Sequence, residues 1–361
     1  MNLFEQATLG PISLQNRTAM APMTRSRATA DHVPTPIMAT YYGQRSGAGL
    51  IITEGVAPSA NGVGYPRIPG IYNAEQTEAW RPIAEAAHAG GAKIFMQFMH
   101  TGRISHPLNM PEGAEVVAPS AIAAQGEMYT DQSGNQPHPT PKAMTAEDLE
   151  ATKADFVQAA KNAIAAGFDG VELHAANGYL LEQFLYPGSN QRTDNYGGSV
   201  ENRARFVLEV SEAVANAIGK DKVGIRLSPQ GAFNDILPYE GAEEMYDYIS
   251  KEINKLGLVY IHVVDHQAMG APEVPTAIKE TIRNNFNGTY ILSGGYVDAE
   301  RAQNDLAAGK GDLVAYGRPF LANPDLVSRL KNGEALNQPD YDTLYTPGEK
   351  GYTDYPVLAE A

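Results

Sequence analysis

The sequence predicts an α/β fold of the TIM type, a (β/α)8 barrel formed as one domain over residues 1–361. Three observations predict it. Short β-rich runs alternate with helical patterns, which implies a parallel sheet. Eight runs pair with eight helical stretches, which favours closure into a barrel over an open doubly wound sheet. The length of 361 residues exceeds a typical domain, yet barrels of this kind reach it as one unit.

In chain order, the run at 17–23 (RTAMAPM) precedes a helical pattern at 35–47, and 49–56 (GLIITEGV) precedes 75–90. The run 93–100 (KIFMQFMH) leads to a helix at 146–166, and 170–176 (GVELHAA) to one at 200–218. Then come 223–229 (VGIRLSP) with 240–255, and 259–265 (VYIHVVD) with 273–284. Last are 289–295 (TYILSGG) with 298–308, and 313–320 (LVAYGRPF) with 323–332.

Two departures from a minimal barrel stand out. Residues 3–14 read as a short hairpin around Gly10-Pro11, placed as a lid on the N-terminal face. After the third strand, residues 101–145 form a long Pro- and Gly-bearing loop. Loops of that length are functional or disordered. This one leaves a strand at its C-terminal end, where barrel active sites lie, so a substrate-side cap is expected. The tail at 351–361 shows no clear element.

Composition excludes several classes. The chain has no cysteine, which removes disulfides, thiolate metal sites, iron–sulfur clusters and cysteine nucleophiles. Its histidines are scattered with no helical pair at metal spacing, so no metal is expected. The net charge of −15 disfavours nucleic acid and anionic lipid. No apolar run spans a membrane, and the first residues lack a signal-peptide pattern, so a cytoplasmic location is expected. A soluble acidic protein is the plain reading of that charge, and a few local Arg residues and backbone N–H groups still suffice to bind an anion.

In a barrel, residues at the C-terminal strand ends face the site. Those ends read Pro22-Met23-Thr24, Glu54-Gly55, Gln97 with Met99 and His100, His174 to Asn177 followed by Tyr179, Arg226, Ser293-Gly294-Gly295, and Gly317-Arg318. The last two read as a phosphate site: Gly294, Gly295 and Gly317 admit an anion to backbone N–H groups, and Arg318 adds a charged fork. The competing reading is that these glycines only permit tight turns. Gln97 and Arg226 lie in apolar strands. A buried Gln must satisfy a donor and an acceptor, and the pyrimidine edge of an isoalloxazine offers both. A buried Arg needs an anion: either such a ring edge, whose reduced charge it would stabilise, or Glu172 within the barrel. His174 and Asn177 share a face if the chain turns helically there, forming a two-donor clamp for one oxygen. Tyr179 follows as a phenol able to give a proton. Taken singly, such a His or Tyr is structural in most proteins.

At these residues the sequence resembles the old yellow enzyme family, most of all its bacterial branch of pentaerythritol tetranitrate reductase and N-ethylmaleimide reductase. The resemblance runs from Leu3-Phe4 to Gly351-Tyr352-Thr353-Asp354-Tyr355-Pro356. It is carried by Ala21-Pro22-Met23-Thr24-Arg25, by residues 97–103 (QFMHTGR), by 174–180 (HAANGYL), by 189–203, by Arg226-Leu227-Ser228-Pro229 and by Gly317-Arg318-Pro319.

The resemblance implies one FMN-binding barrel that reduces activated C=C bonds with NADPH or NADH. Enones, enals, maleimides and nitroalkenes are the implied substrates, with nitrate esters and nitroaromatics as further ones. Hydride would pass from flavin N5 to the β-carbon and a proton from Tyr179 to the α-carbon. Thr24 would bond the flavin C4 carbonyl, Pro22, Met23 and Gly55 would line the ring, and Gln97 and Arg226 would hold its pyrimidine edge. Gly294, Gly295, Gly317 and Arg318 would hold the phosphate, and His174 and Asn177 the substrate oxygen. Tyr65 and Tyr345 stand where the family places pocket aromatics. Thr24 replaces the cysteine of the thermostable branch. Asn177 replaces a His of some relatives, and Met99 a Trp of many, which bears on substrate shape.

Two other classes compete. A flavin-binding redox sensor or storage protein would need neither the clamp nor the proton donor. A sugar-phosphate isomerase on the same barrel would leave Gln97 and Thr24 without purpose.

Overall fold

The structure is a computed structural model and describes residues 1–358. Eight parallel strands close a barrel. They are β1 (Thr18–Met20), β2 (Leu50–Val56), β3 (Lys93–Phe98), β4 (Gly170–Ala175), β5 (Val223–Leu227), β6 (Tyr260–Val264), β7 (Thr289–Ser293) and β8 (Leu313–Tyr316). Each pairs with the next, and β8 pairs with β1. The outer helices are α1 (Pro36–Gln44), α2 (Ala74–Ala89), α3 (Ala146–Ala165), α4 (Val200–Ile218), α5 (Ala242–Leu256), α6 (Thr276–Asn285), α7 (Ala299–Ala307) and α8 (Leu326–Asn332).

Local chemistry sets the helix starts. Thr145 and Asp148 form a reciprocal capping box at α3, and Ser199 accepts the Asn202 amide at α4. Along α4, Ala204, Phe206, Val207, Val210 and Val214 recur at helical spacing on the buried face. They join Leu173, Ile225 and Phe184 in the layer between helices and sheet. Burial of each large apolar side chain there contributes about 1.5–3 kcal/mol.

The strand period of two divides the sheet into an outer and an inner face. Inward residues form a second apolar cluster at the N-terminal end: Ala19, Leu50, Ile52, Phe95, Tyr260, Ile291 and Leu313. Ala7, Leu9 and Leu14 pack onto it. They come from the hairpin Ala7–Leu9 with Ile12–Leu14, turned at Gly10 with φ 56°, so the hairpin plugs the N-terminal mouth as expected. One level up, the inward positions turn polar: Gln97, Glu172, Arg226 and His262 lie on neighbouring strands in close register. The barrel is thus sealed by apolar side chains below and lined by polar ones above.

Several bounds differ from the sequence reading. The run 17–23 is strand only to Met20, because Pro22 has no N–H for the ladder. The run 313–320 ends at Tyr316, and Arg318–Ala322 is a short helix with Pro319 in its first turn, a position where the missing N–H costs nothing. The helices expected from 35 to 47 and from 323 stop at Gln44 and start at Leu326. Segment 101–145 is not a bare loop. It holds a hairpin, Glu127–Thr130 with Gly134–Pro137, and a parallel pair, Val117–Ala118 with Lys142–Ala143. Through Ile104, Ala124 and Met128 it packs behind Met99 and Tyr179, bracing the wall of the C-terminal mouth. Residues 359–361 of the expected tail lie outside the described residues.

Candidate active site

A cavity of about 350 Å³ opens at the C-terminal end of the barrel, within the size range of small-molecule sites. Pro22, Met23, Thr24, Gly55, Gln97 and Met99 line it from β1 to β3. His174, Asn177, Tyr179 and Arg226 line it from β4 and β5, and Gly294, Gly295, Gly317 and Arg318 from β7 and β8. Tyr345 reaches it from the C-terminal segment. Tyr65 stands one layer back, its hydroxyl 3.0 Å from that of Tyr179.

A bulge in β2 matters here. The β2–β3 register shifts between Ile52 and Gly55, so Gly55 pairs with Gln97 and faces the cavity. Glu54 is turned away instead, and its Oε2 accepts the Arg25 amide at 3.1 Å. A Cβ at 55 would meet the Met99 side chain down to its own Cβ, 2.9 Å away, so any larger residue there displaces Met99.

Below the cavity floor three donors converge on Glu172: Gln97 Nε2 at 2.7 Å, His262 Nδ1 at 2.9 Å and the Tyr260 hydroxyl at 3.0 Å. Burial alone would raise this carboxyl. His262, Arg226 and Gln97 outweigh it and hold the pKa below its ordinary value, so Glu172 stays a carboxylate. Arg226 forms no salt bridge with Glu172 among the described residues, and its Nε is buried without a partner. The direct ion pair weighed from the sequence is therefore not formed, and this guanidinium is free for an anion in the cavity.

The upper wall carries the other polar groups. Burial, with Arg226 and His262 adding repulsion, pulls the His174 ring well below its ordinary pKa, so it is neutral. Its Nδ1 has no partner. Its ring lies 5.0 Å from that of Tyr179. Burial raises the Tyr179 phenol, against the lowering pull of Tyr65 and Asn234, so it keeps its proton at neutral pH. The helical turn expected between His174 and Asn177 is absent. Asn177 is left-handed, with φ 58°, and the short helix starts only at Leu180. Both side chains reach the cavity nevertheless, because the left-handed turn redirects the chain.

At the far end, Gly295 has φ 67°, and a Cβ there would collide with Ala268. At Gly317 an added Cβ would sit in ordinary contact with the Met23 sulfur, 3.7 Å away. Arg318 is exposed beside them. This end suits a phosphate: glycine backbone just beyond two strands and a cation beside it. The orphaned Arg226 and His174 nitrogens suit a ring with a polar edge and a second ligand above it. The residues present fit FMN.

The sequence reading missed His266, Phe233 and Asn234, all of which line the cavity. His266 had a signal, since it follows β6 just as His174 to Asn177 follow β4. Phe233 and Asn234 had none, because they lie in the irregular chain after β5.

Comparison with known proteins agrees with this geometry. The model of the NADH:flavin oxidoreductase / NADH oxidase family matches residues 2–337. The chain is 41% identical over 354 residues to a protein of Leishmania infantum described as a probable flavin mononucleotide-dependent alkene reductase, covering 97% of this chain and 96% of that one. It superimposes on morphinone reductase in complex with tetrahydroNAD with a TM-score of 0.93 and 45% identity, covering 99% of this chain and 98% of that one. The old yellow enzyme homologue from Zymomonas mobilis gives 0.95 at 39% identity, with 99% and 100% covered. The chain belongs to the NADH:flavin oxidoreductase / NADH oxidase family, as an FMN-dependent oxidoreductase of the old yellow enzyme type.

Proposed function

We propose that this chain is an ene reductase that uses NAD(P)H to reduce electron-poor alkenes: enones, enals, maleimides and nitroalkenes. Nitrate esters and nitroaromatics extend the class, because a clamp for a carbonyl oxygen also holds a nitro oxygen. One observation carries the reading. An unpartnered neutral imidazole, an amide and a protonated phenol, from His174, Asn177 and Tyr179, face one cavity whose floor holds an unpaired Arg226.

FMN, when bound, supplies the hydride chemistry. Gly294, Gly295, Gly317 and Arg318 would hold its phosphate. Gln97 and Arg226 would hold the pyrimidine edge, where the Arg226 cation would favour negative charge, and Thr24 would hydrogen-bond a ring carbonyl. Pro22, Met23 and Gly55 shape the ring bed. His174 and Asn177 orient the substrate by its oxygen and stabilise the charge that develops on it. Tyr179 holds the proton that goes to the α-carbon. Met99 and Tyr345 bound the substrate space, and Tyr65 orders the Tyr179 hydroxyl. A supply of NAD(P)H makes the cytoplasm the compartment this reading asks for. The net charge of −15 opposes nucleic acid, and among the described residues no helix is long and apolar enough to cross a membrane.

The test is anaerobic. Yellow purified protein is reduced with NADPH or NADH, then reoxidised with a panel of activated alkenes and nitro compounds. Release of FMN on denaturation and reoxidation by enones are expected. Protein that reduces but reacts with none of the panel would return the reading to a flavin redox sensor.

A further inference from the structure

His266 has no part in the chemistry above, yet it touches a residue that does. It stands two positions beyond β6, and its Nε2 lies 2.7 Å from Asn177 Oδ1. An amide oxygen only accepts, so the ring donates from Nε2. Burial, then Arg226, brings its pKa down to about 4, so at neutral pH the ring is neutral and its single N–H is committed to Asn177. Phe233 packs edge-on at 4.4 Å between ring centroids and fixes the plane of the imidazole.

The backbone of Asn177 is held as firmly. Its N–H donates to Ser228 Oγ at 2.8 Å, and its carbonyl accepts Asn234 Nδ2 at 2.7 Å. The next amide, Gly178, donates to Glu182 Oε2 at 2.6 Å. These bonds over-determine a left-handed residue that costs free energy on its own. The side chain keeps one freedom: turning the amide end for end. One setting offers the cavity two N–H donors, and the other offers an acceptor. A substrate oxygen binds the first and is repelled by the second.

We propose that His266 is a positioning residue that selects the donor setting, by holding Asn177 Oδ1 so that the amide NH2 faces the cavity. It thereby makes the site specific for ligands that present an oxygen acceptor. The inference rests on the reading of His174 and Asn177 as the oxygen clamp. A histidine in place of Asn177 would be a different device. An asparagine is ambiguous by symmetry, and it needs a neighbour to break the tie.

The test is a double-mutant cycle on FMN-loaded protein, read by titration with 4-hydroxybenzaldehyde and by KM for cyclohexenone. His266→Leu is expected to weaken the phenol about tenfold, the order of one lost hydrogen bond. In an Asn177→Ala background the same change is expected to do nothing, since no amide is left to orient. His266→Gln keeps a donor and is expected to recover most of the affinity. FMN content reports folding in each variant. Equal losses in both backgrounds, no loss in either, or a Gln variant as weak as the Leu variant overturns the positioning role while leaving the clamp intact. If Asn177→Ala alone leaves phenol affinity unchanged, the clamp itself falls and this inference falls with it.

Discussion

Gln97 gives one Nε2 hydrogen to Glu172 Oε1 at 2.7 Å, across the paired strands β3 and β4. That bond fixes which way the glutamine amide faces. One N–H is used inside the barrel, and a second N–H and the oxygen remain for the cavity. Glu172 is also the carboxylate whose charge acts on Arg226, against the lowering effect of burial. One buried carboxylate therefore sets both groups assigned to the flavin edge.

Glu172→Gln tests this. The neutral amide cannot accept from three donors, so one of Gln97, Tyr260 and His262 loses its bond. A cost of about 1–3 kcal/mol in stability is expected from a buried donor left unsatisfied. FMN dissociation is expected to quicken as well, because the Gln97 amide is released. Chemical denaturation and fluorescence of released FMN measure the two. A less stable protein that keeps its flavin as tightly as before would reduce Glu172 to a strut of the barrel.

Arg226→Ala removes the unpaired guanidinium from the cavity floor. Weaker FMN retention and slower reduction by nicotinamide are expected, because the charge developing on the ring edge loses its partner. Glu172 keeps its three donors in this variant, so the fold is expected to persist. Full flavin occupancy with an unchanged reduction rate in stopped flow would refute the assignment.

Met99→Trp probes the substrate wall. Met99 lines the cavity but is 2% exposed, packed between Gly55 and a cluster of Val63, Ile68, Ile104 and Met128. A Trp cannot enter that cluster without strain, so its ring is forced toward the cavity. Narrower tolerance for β-substituted alkenes is expected, with a stability loss of about 1–3 kcal/mol from overpacking. Flavin reduction by nicotinamide is expected to change little. Identical substrate ranges before and after would place Met99 in the core alone.

The sequence made the barrel legible because strand and helix periods are local and eight units leave few closures. The end proposed for the phosphate was legible for the same reason: its glycines and Arg318 follow strands whose ends are easy to find. The residues proposed for the oxygen clamp were visible as types but not as a conformation. The pair Asn177-Gly178 is one that tolerates a left-handed turn, but the bonds that hold Asn177 in it come from remote Ser228 and Asn234, which no local pattern shows. That Arg226 forms no salt bridge with Glu172 was likewise invisible, since three other donors occupy that carboxylate. The bracing of Met99 by segment 101–145 depends on packing between remote stretches, which no periodicity encodes.

Tyr179→Phe separates the two half-reactions. Burial keeps the phenol protonated, and the Tyr65 hydroxyl at 3.0 Å gives it a fixed partner. Reduction by nicotinamide takes no proton from Tyr179, so that half-reaction is expected to survive. Reoxidation by cyclohexenone needs a proton at the α-carbon, and it is expected to fall by about 10²–10⁴-fold, the loss of a general acid. A nitroalkene is expected to lose far less, because its nitronate lives long enough to take a proton from water. Tyr65→Phe supplies the control. It removes the partner but leaves the donor, so a loss of about tenfold on the enone is expected, in line with one hydrogen bond. Stopped-flow reoxidation of prereduced protein with both substrates decides. Equal losses for enone and nitroalkene in Tyr179→Phe would mean that the ring only packs against His174. A Tyr65→Phe loss as large as that of Tyr179→Phe would move the proton donor to Tyr65.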